Sequence, residues 1–365
     1  MRGKSASLRR AAGQLLIMGF DGASVGPRLR KLVGETQPGG VILFARNIES
    51  ARQTHALVTG CQRLMPRPAF LCVDMEGGTV DRLKGVVHPA PAAADVFATG
   101  DKKLFREHGK LIGEECRALG FNTDFAPVLD LGFAPSRTVL GSRAVSAKPS
   151  EAVGYAREFL RGLREARVIG CGKHFPGLGE ANLDTHHELP AIAKPWKRLW
   201  DEDLAPYRAL RAQLPFVMVA HAAYPEVTGD RKPASLSAQW MGEVLRKKLG
   251  YRGLVLSDDL EMGGVLAAAP IEEAAVETLR AGADVYLVCH NEAHVSGTFE
   301  AVVREAERDA RFAALVEQRA KRVLAYKKKM RAWLRTAPAP SAVTVRELRA
   351  RLQKFTDIVH RQLAY

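Results

Sequence analysis

Hydrophobic residues fall along the chain in two alternating rhythms. Short unbroken apolar runs occur at Leu15–Phe20, Gly40–Phe44, Phe70–Asp74, Thr123–Leu129, Ile169–His174, Phe216–His221, Gly253–Asp258 and Ala283–Val288. Between most of them lie amphipathic segments of helical length: Ala51–Leu64, Lys103–Leu119, Ser150–Ala166, Trp196–Ala212, Ala238–Leu249 and Ile271–Ala281. A run without polar alternation suits a strand buried on both faces, as in a parallel sheet. Eight such units predict an α/β fold of the (β/α)8 TIM type. A doubly wound sheet fits less well, because no GxGxxG follows the first run.

After Val288 come further helical segments through Arg335, and Thr336–Ser341 reads as a Pro/Ala linker. Residues 344–362 place Val345, Leu348, Leu352, Phe355 and Val359 at helical spacing among basic residues. The expected organisation is one barrel domain, residues 1–335, with a C-terminal extension, 336–365, whose basic amphipathic helix packs back on the barrel.

Polar residues gather where the apolar runs end. The third run ends in Asp74 and Glu76, the fourth is followed by Asp130, the fifth ends in Lys173 and His174, the sixth in His221, and the seventh in Asp258 and Asp259. In a barrel these ends converge on one face, where such folds keep their chemistry.

Composition narrows the partners. The chain has 365 residues, 47% hydrophobic and 26% charged, an ordinary globular balance. Its net charge of +14 favours acidic partners. The basic residues are dispersed, without aromatic interleaving or zinc spacing, so no nucleic-acid partner is expected. No apolar stretch approaches a membrane span, and the short apolar run near the N-terminus reads as a first strand, not a signal peptide. Five cysteines without a CxxC pair suit buried free thiols and a reducing, cytoplasmic setting.

Three segments carry candidate chemistry. KHFPGLGEANLDTHHELP, residues 173–190, packs three histidines onto a Gly/Pro-rich loop. Lys173 and His174 could simply cap a strand, with Asp184, His186 and His187 solvated. Asp184, His186, His187 and His221 could instead hold a metal, although HxxxH and HExxH spacings are absent. Or Asp184 could orient the imidazole of His186 for acid–base work. In GLVLSDDLEMGG, residues 253–264, adjacent strand-end acids point to different sides. One of Asp258 and Asp259 is therefore expected to face the barrel mouth and the other to cap the next helix. In VDMEGGTVDRL, residues 73–83, Gly77-Gly78 permits a tight turn, and Asp74 and Arg82 are suited to bind a polyol or to pair with each other.

Taken together, these segments resemble the family 3 glycoside hydrolases, in particular their bacterial β-N-acetylglucosaminidase (β-hexosaminidase) branch. The resemblance spans about residues 13–330 and appears in the family's order. It runs through GGVILFARN (39–47), VDMEGG (73–78), FNTDFAPVLDL (121–131), GSRAVS (141–146), KHFPGLG (173–179), DTHHELP (184–190), VMVAHAAYP (217–225) and LVLSDDLEM (254–262). It implies a (β/α)8 barrel and retaining, exo-acting hydrolysis of terminal β-linked N-acetylglucosamine. For this branch it also implies peptidoglycan recycling in the cytoplasm. The substrate would be N-acetylglucosamine linked to anhydro-N-acetylmuramic acid, with or without peptide, a small carbohydrate with an anionic aglycone.

Carried onto this chain, the resemblance makes Asp258 the nucleophile, His186 the general acid/base and Asp184 its partner. Lys173, His174, Asp74 and Arg143 match residues that hold the sugar hydroxyls and N-acetyl group. Three positions depart: Leu178 where the family usually has His, Thr79 where it has Arg, and Ser142 where it has an acid. No metal and no cofactor are expected, and the chain is expected to act as a monomer. A β-N-acetylglucosaminide phosphorylase on the same scaffold is the nearest alternative. A non-catalytic sugar- or nucleic-acid-binding barrel is the alternative of another class.

Overall fold

Each of the eight apolar runs forms a strand in the computed structural model, which describes residues 2–185 and 187–364. In chain order the strands are β1 (Leu16–Met18), β2 (Gly40–Ile42), β3 (Phe70–Val73), β4 (Met75–Gly77), β5 (Val80–Asp81), β6 (Thr123–Asp124), β7 (Cys171–Phe175), β8 (Phe216–Val219), β9 (Leu254–Asp259) and β10 (Val285–Val288). Eight of them form one parallel sheet in the order β6-β3-β2-β1-β10-β9-β8-β7. The sheet closes where β6 and its continuation meet β7. There Asp124 N donates to Ile169 O (2.9 Å), Cys171 N to Ala126 O (2.8 Å) and Leu129 N to Lys173 O (2.6 Å). Closure leaves no exposed edge and makes the molecule a TIM-type barrel, not a doubly wound sheet.

The remaining two strands form an antiparallel hairpin just past β3. Its turn uses Gly77 and Gly78 at φ +86° and +61°. A side chain on Gly78 would also meet Ala92 Cβ at 2.6 Å, so both conformation and space favour glycine.

The helices follow the amphipathic segments, with one break. The segment expected as a single helix, Trp196–Ala212, folds as Trp196–Asp201 and Leu204–Leu210. Pro206 is the reason. Proline cannot sit in a helix interior, so the chain restarts its helix just before it. A helix over Arg2–Gly13 precedes β1.

At the amino-terminal end of the barrel, buried charge does structural work. Asp284 accepts from Val255 N at 2.9 Å and faces the guanidinium groups of Arg246, Arg319 and Arg322. Lys327 donates to Gln14 Oε1 (2.9 Å) and Gly39 O (2.7 Å), with no carboxylate partner among the described residues, and burial pushes its ammonium down to about 7.

The C-terminal helix, Ala342–Leu363, starts at Ser341, whose Oγ accepts from Thr344 N at 3.0 Å. Leu348, Leu352, Phe355 and Val359 are buried against helices Ala93–Ala98 and Lys102–Ala118. The apolar stripe thus seats the extension on the barrel's helical layer. Leu352→Ala should cost about 2–5 kcal/mol of stability, because a fully buried leucine leaves a cavity. Val343→Ala, at a half-exposed position on the same helix, should change stability by less than about 0.5 kcal/mol. Denaturant unfolding of both variants checks this, and equal losses would show that the stripe is not packed.

Candidate active site

The carboxyl ends of the strands surround a cleft of about 310 Å³. Its lining includes Asp74, Arg82, Arg143, Lys173, His174, Asp184 and Asp258. These seven candidates from the sequence, with Asp259, therefore meet in one place, whereas His187 and His221 are not in the lining. His186 lies outside the described residues.

The charges at the base of the cleft are interlocked. Lys173 Nζ sits 2.9 Å from Asp74 Oδ1 and 2.6 Å from Glu76 Oε1. Arg143 grips the same Glu76 through two parallel bonds, Nε to Oε2 at 2.8 Å and Nη2 to Oε1 at 2.9 Å. Burial alone would raise the Glu76 carboxyl, but Lys173 and Arg143 hold it well below the usual range. Burial alone would likewise lower Lys173, and Asp74 and Glu76 instead raise it. Glu76, Lys173 and Arg143 stay charged at neutral pH, and the cluster presents fixed donors and acceptors to a polar ligand.

His174 is oriented from behind. Its Nδ1 lies 2.6 Å from Asp130 Oδ2, and a carboxylate only accepts, so Nδ1 carries the proton. Asp130 also accepts from Leu178 N at 2.8 Å, which ties the Gly177-Leu178-Gly179 turn to the same carboxylate. The far ring nitrogen of His174 is thereby aimed at the cleft, which His174 lines.

Asp258 is half-buried on β9. Its Oδ1 accepts from Asp259 N at 2.9 Å, leaving the second oxygen for chemistry. Burial would raise this carboxyl, yet the nearby imidazoles of His174 and His221, the Asp259 N–H and Lys173 hold it below its ordinary value. Asp259 behaves oppositely. Burial first, and Glu261 second, push it up to about 8. Its Oδ1 accepts from Glu261 N (3.1 Å) and Cys289 N (3.2 Å).

Several expectations need correction. Asp258 and Asp259 both line the cleft; the pairing of β9 with β10 shifts register between Leu256 and Asp259, which breaks the strict alternation of side chains there. Asp74 and Arg82 do not pair; Lys173 takes Asp74, and Arg82 lies 5.8 Å over the Phe44 ring. His221 is not free to ligate a metal: Nδ1 meets Ser235 Oγ at 2.6 Å and Nε2 donates to Asp259 O at 2.9 Å. His187 is exposed.

The loop carrying Asp184 docks on the far side of the cleft. Thr185 is buried and its carbonyl accepts from Gly264 N at 3.0 Å. Its base is pinned where Lys194 meets Glu202 (2.6 Å) and Asp203, and where Tyr224 Oη donates to Gly177 O at 2.7 Å. Glu76 and Asp130 were visible as strand-end acids but were not singled out for the site. Phe44 and His290, which also line the cleft, gave no sequence signal of their own.

A model of the N-terminal domain of glycosyl hydrolase family 3 matches residues 7–326. The chain is 40% identical over 283 residues to a β-hexosaminidase of Alkalilimnicola ehrlichii, covering 76% of this chain and 80% of that protein. It is 37% identical over 276 residues to one of Pseudomonas aeruginosa, covering 75% and 82%. Among solved structures, a family 3 β-N-acetylglucosaminidase from Paenibacillus superposes with a TM-score of 0.89 at 33% identity, over 96% of this chain and 68% of that one. NagZ from Neisseria gonorrhoeae gives 0.72 at 27% identity, over 85% and 97%. With the barrel, the clustered carboxylates and these relatives in agreement, the chain belongs to glycoside hydrolase family 3 and is a glycoside hydrolase.

Proposed function

We propose that the protein is a retaining exo-β-N-acetylglucosaminidase that removes terminal β-linked N-acetylglucosamine through a covalent glycosyl-enzyme. The observation that carries this reading is Asp258: a carboxylate kept ionised in a small cleft, with one oxygen held by the backbone and the other without a hydrogen-bond partner among the described residues. Two relatives, 40% and 37% identical to this chain, are named β-hexosaminidases. A cleft of about 310 Å³ is at the small end for ligand sites, which suits one terminal sugar ring.

In this mechanism Asp258 attacks the anomeric carbon as the leaving oxygen takes a proton from His186. Asp184 orients the imidazole and stabilises its cationic form. Water then attacks the glycosyl-enzyme, giving its proton to His186 and releasing the sugar with retained configuration. Lys173, His174, Asp74 and Arg143 hold the hydroxyls and the N-acetyl group. Arg82 and His290 in the lining suit an anionic aglycone such as anhydro-N-acetylmuramic acid with or without peptide. Buried free cysteines support a reducing, cytoplasmic setting for peptidoglycan recycling.

The purified protein should prefer chromogenic β-N-acetylglucosaminides to β-glucosides by about 5- to 150-fold in kcat/KM. A buried polar group left without its partner costs ~1–3 kcal/mol. Equal kcat/KM on the two substrates would sink the assignment.

The two acids of β9 should separate under substitution. Asp258→Asn should lower turnover by at least about 10³-fold, while Asp259→Asn, which keeps one oxygen for both N–H donors, should cost no more than about tenfold. Stability should separate them too. The Asp259 carboxyl is raised from 3.8 to about 8, so the folded state holds a proton that the unfolded chain releases. Wild type should therefore lose stability relative to Asp259→Asn as pH rises from about 4 to 8. A pH-independent difference between the two would contradict this burial of Asp259.

A further inference from the structure

Arg82 lines the cleft and makes no ion pair among the described residues. Its Nε is buried and has no hydrogen-bond partner among the described residues, and its guanidinium lies over the Phe44 ring. An arginine that lacks an ion pair is placed by its backbone, and that backbone is a segment of irregular chain between β5 and helix Ala93–Ala98. From inside, Asp81 closes the segment into a ring, accepting from Leu83 N and Ala90 N, both at 2.9 Å. From outside, it is held by the C-terminal helix.

Three contacts make that hold. Arg349 donates through Nε to Val87 O at 2.8 Å and through Nη2 to Val86 O at 3.1 Å. His88 Nε2 meets Gln353 Oε1, and Thr356 Oγ1 donates to Pro89 O at 3.4 Å. One turn away, Phe355 stacks on His108 with ring centroids 5.8 Å apart. His108 in turn backs the hairpin turn, where a Cβ on Gly77 would meet its Nε2 at 3.0 Å. Of these contacts only Arg349 binds two successive carbonyls, which its rigid fork of donors suits and a compact ammonium does not.

We propose that Arg349 is a positioning residue for the sugar site: by fixing residues 86 and 87 it holds Arg82 in the cleft. The helix that carries it, Ala342–Leu363, lies beyond residues 7–326 matched by the family model, so a segment outside the barrel domain tunes substrate binding. The proposal rests on the reading of the cleft as the sugar site.

A double-mutant cycle tests it, with kcat and KM on a chromogenic β-N-acetylglucosaminide for wild type, Arg82→Ala, Arg349→Ala and the double variant, plus Arg349→Lys. Thermal midpoints are measured for all, and assays run well below the lowest of them. Arg82→Ala should lower kcat/KM by about tenfold or more, as expected for a lost charged hydrogen bond. Arg349→Ala should lower it by about 5- to 30-fold, chiefly through KM, and Arg349→Lys by less. Added to Arg82→Ala, Arg349→Ala should change kcat/KM by less than about twofold, because residues acting through one another are not additive. Full additivity, or Arg349→Ala alone within about twofold of wild type, would overturn the proposal while leaving the hydrolase assignment standing. A silent Arg82→Ala would overturn it too, by removing Arg82 from binding. If wild type hydrolyses no β-N-acetylglucosaminide, the substrate assignment fails, and the cycle is read on whichever chromogenic glycoside wild type does hydrolyse.

Discussion

The ammonium of Lys173 sits where water scarcely reaches, between the carboxylates of Asp74 and Glu76. A buried charge persists only with partners in place. Satisfying this one draws together the ends of β3 and β7 and the hairpin that starts at β4. Glu76 then recruits Arg143 from a segment far along the chain. The polar floor of the cleft is thus assembled by charge pairing, on walls that apolar packing has already built.

The same barrel carries buried charge at its other end, with a different physical signature. There, Asp284 is surrounded by three arginines and Lys327 reaches an amide oxygen and a carbonyl. Lys327 is pushed down by burial, whereas Lys173 is raised by two carboxylates. Both lysines are buried, Lys173 in β7 and Lys327 in the helix Ala310–Lys329, and their partners decide their roles. The amino-terminal end is a stability device, and the carboxyl end holds groups that a ligand can still engage. Asp258 and Asp259 repeat the contrast one residue apart: the first is kept ionised by imidazoles and a backbone donor, the second is driven toward its neutral form.

Much of this was legible in the sequence because its causes are local. Unalternated apolar runs announced eight buried strands, and acids at their ends announced the face that holds the site. What was not legible depended on distant contacts. Nothing near Asp74 signals that Lys173, not Arg82, will claim it. Adjacent acids on an ideal strand face opposite ways, but the register shift between β9 and β10 just before Asp259 breaks that alternation, and both acids line the cleft. Pro206 was a local signal that the helical spacing around it masked. The link from Arg349 to Val86 and Val87 joins positions more than 260 residues apart, and no pattern of spacing reports it.

The proposed mechanism requires Asp258 to form a covalent bond to the sugar. Mass spectrometry of the protein after reaction with a slow 5-fluoro N-acetylglucosaminide, digested to peptides, tests it most directly, with NMR of the first-formed product alongside. One glycosyl label on Asp258 and a β-configured sugar released first are expected. A label on Asp259, or no label with an α-configured product, would contradict it.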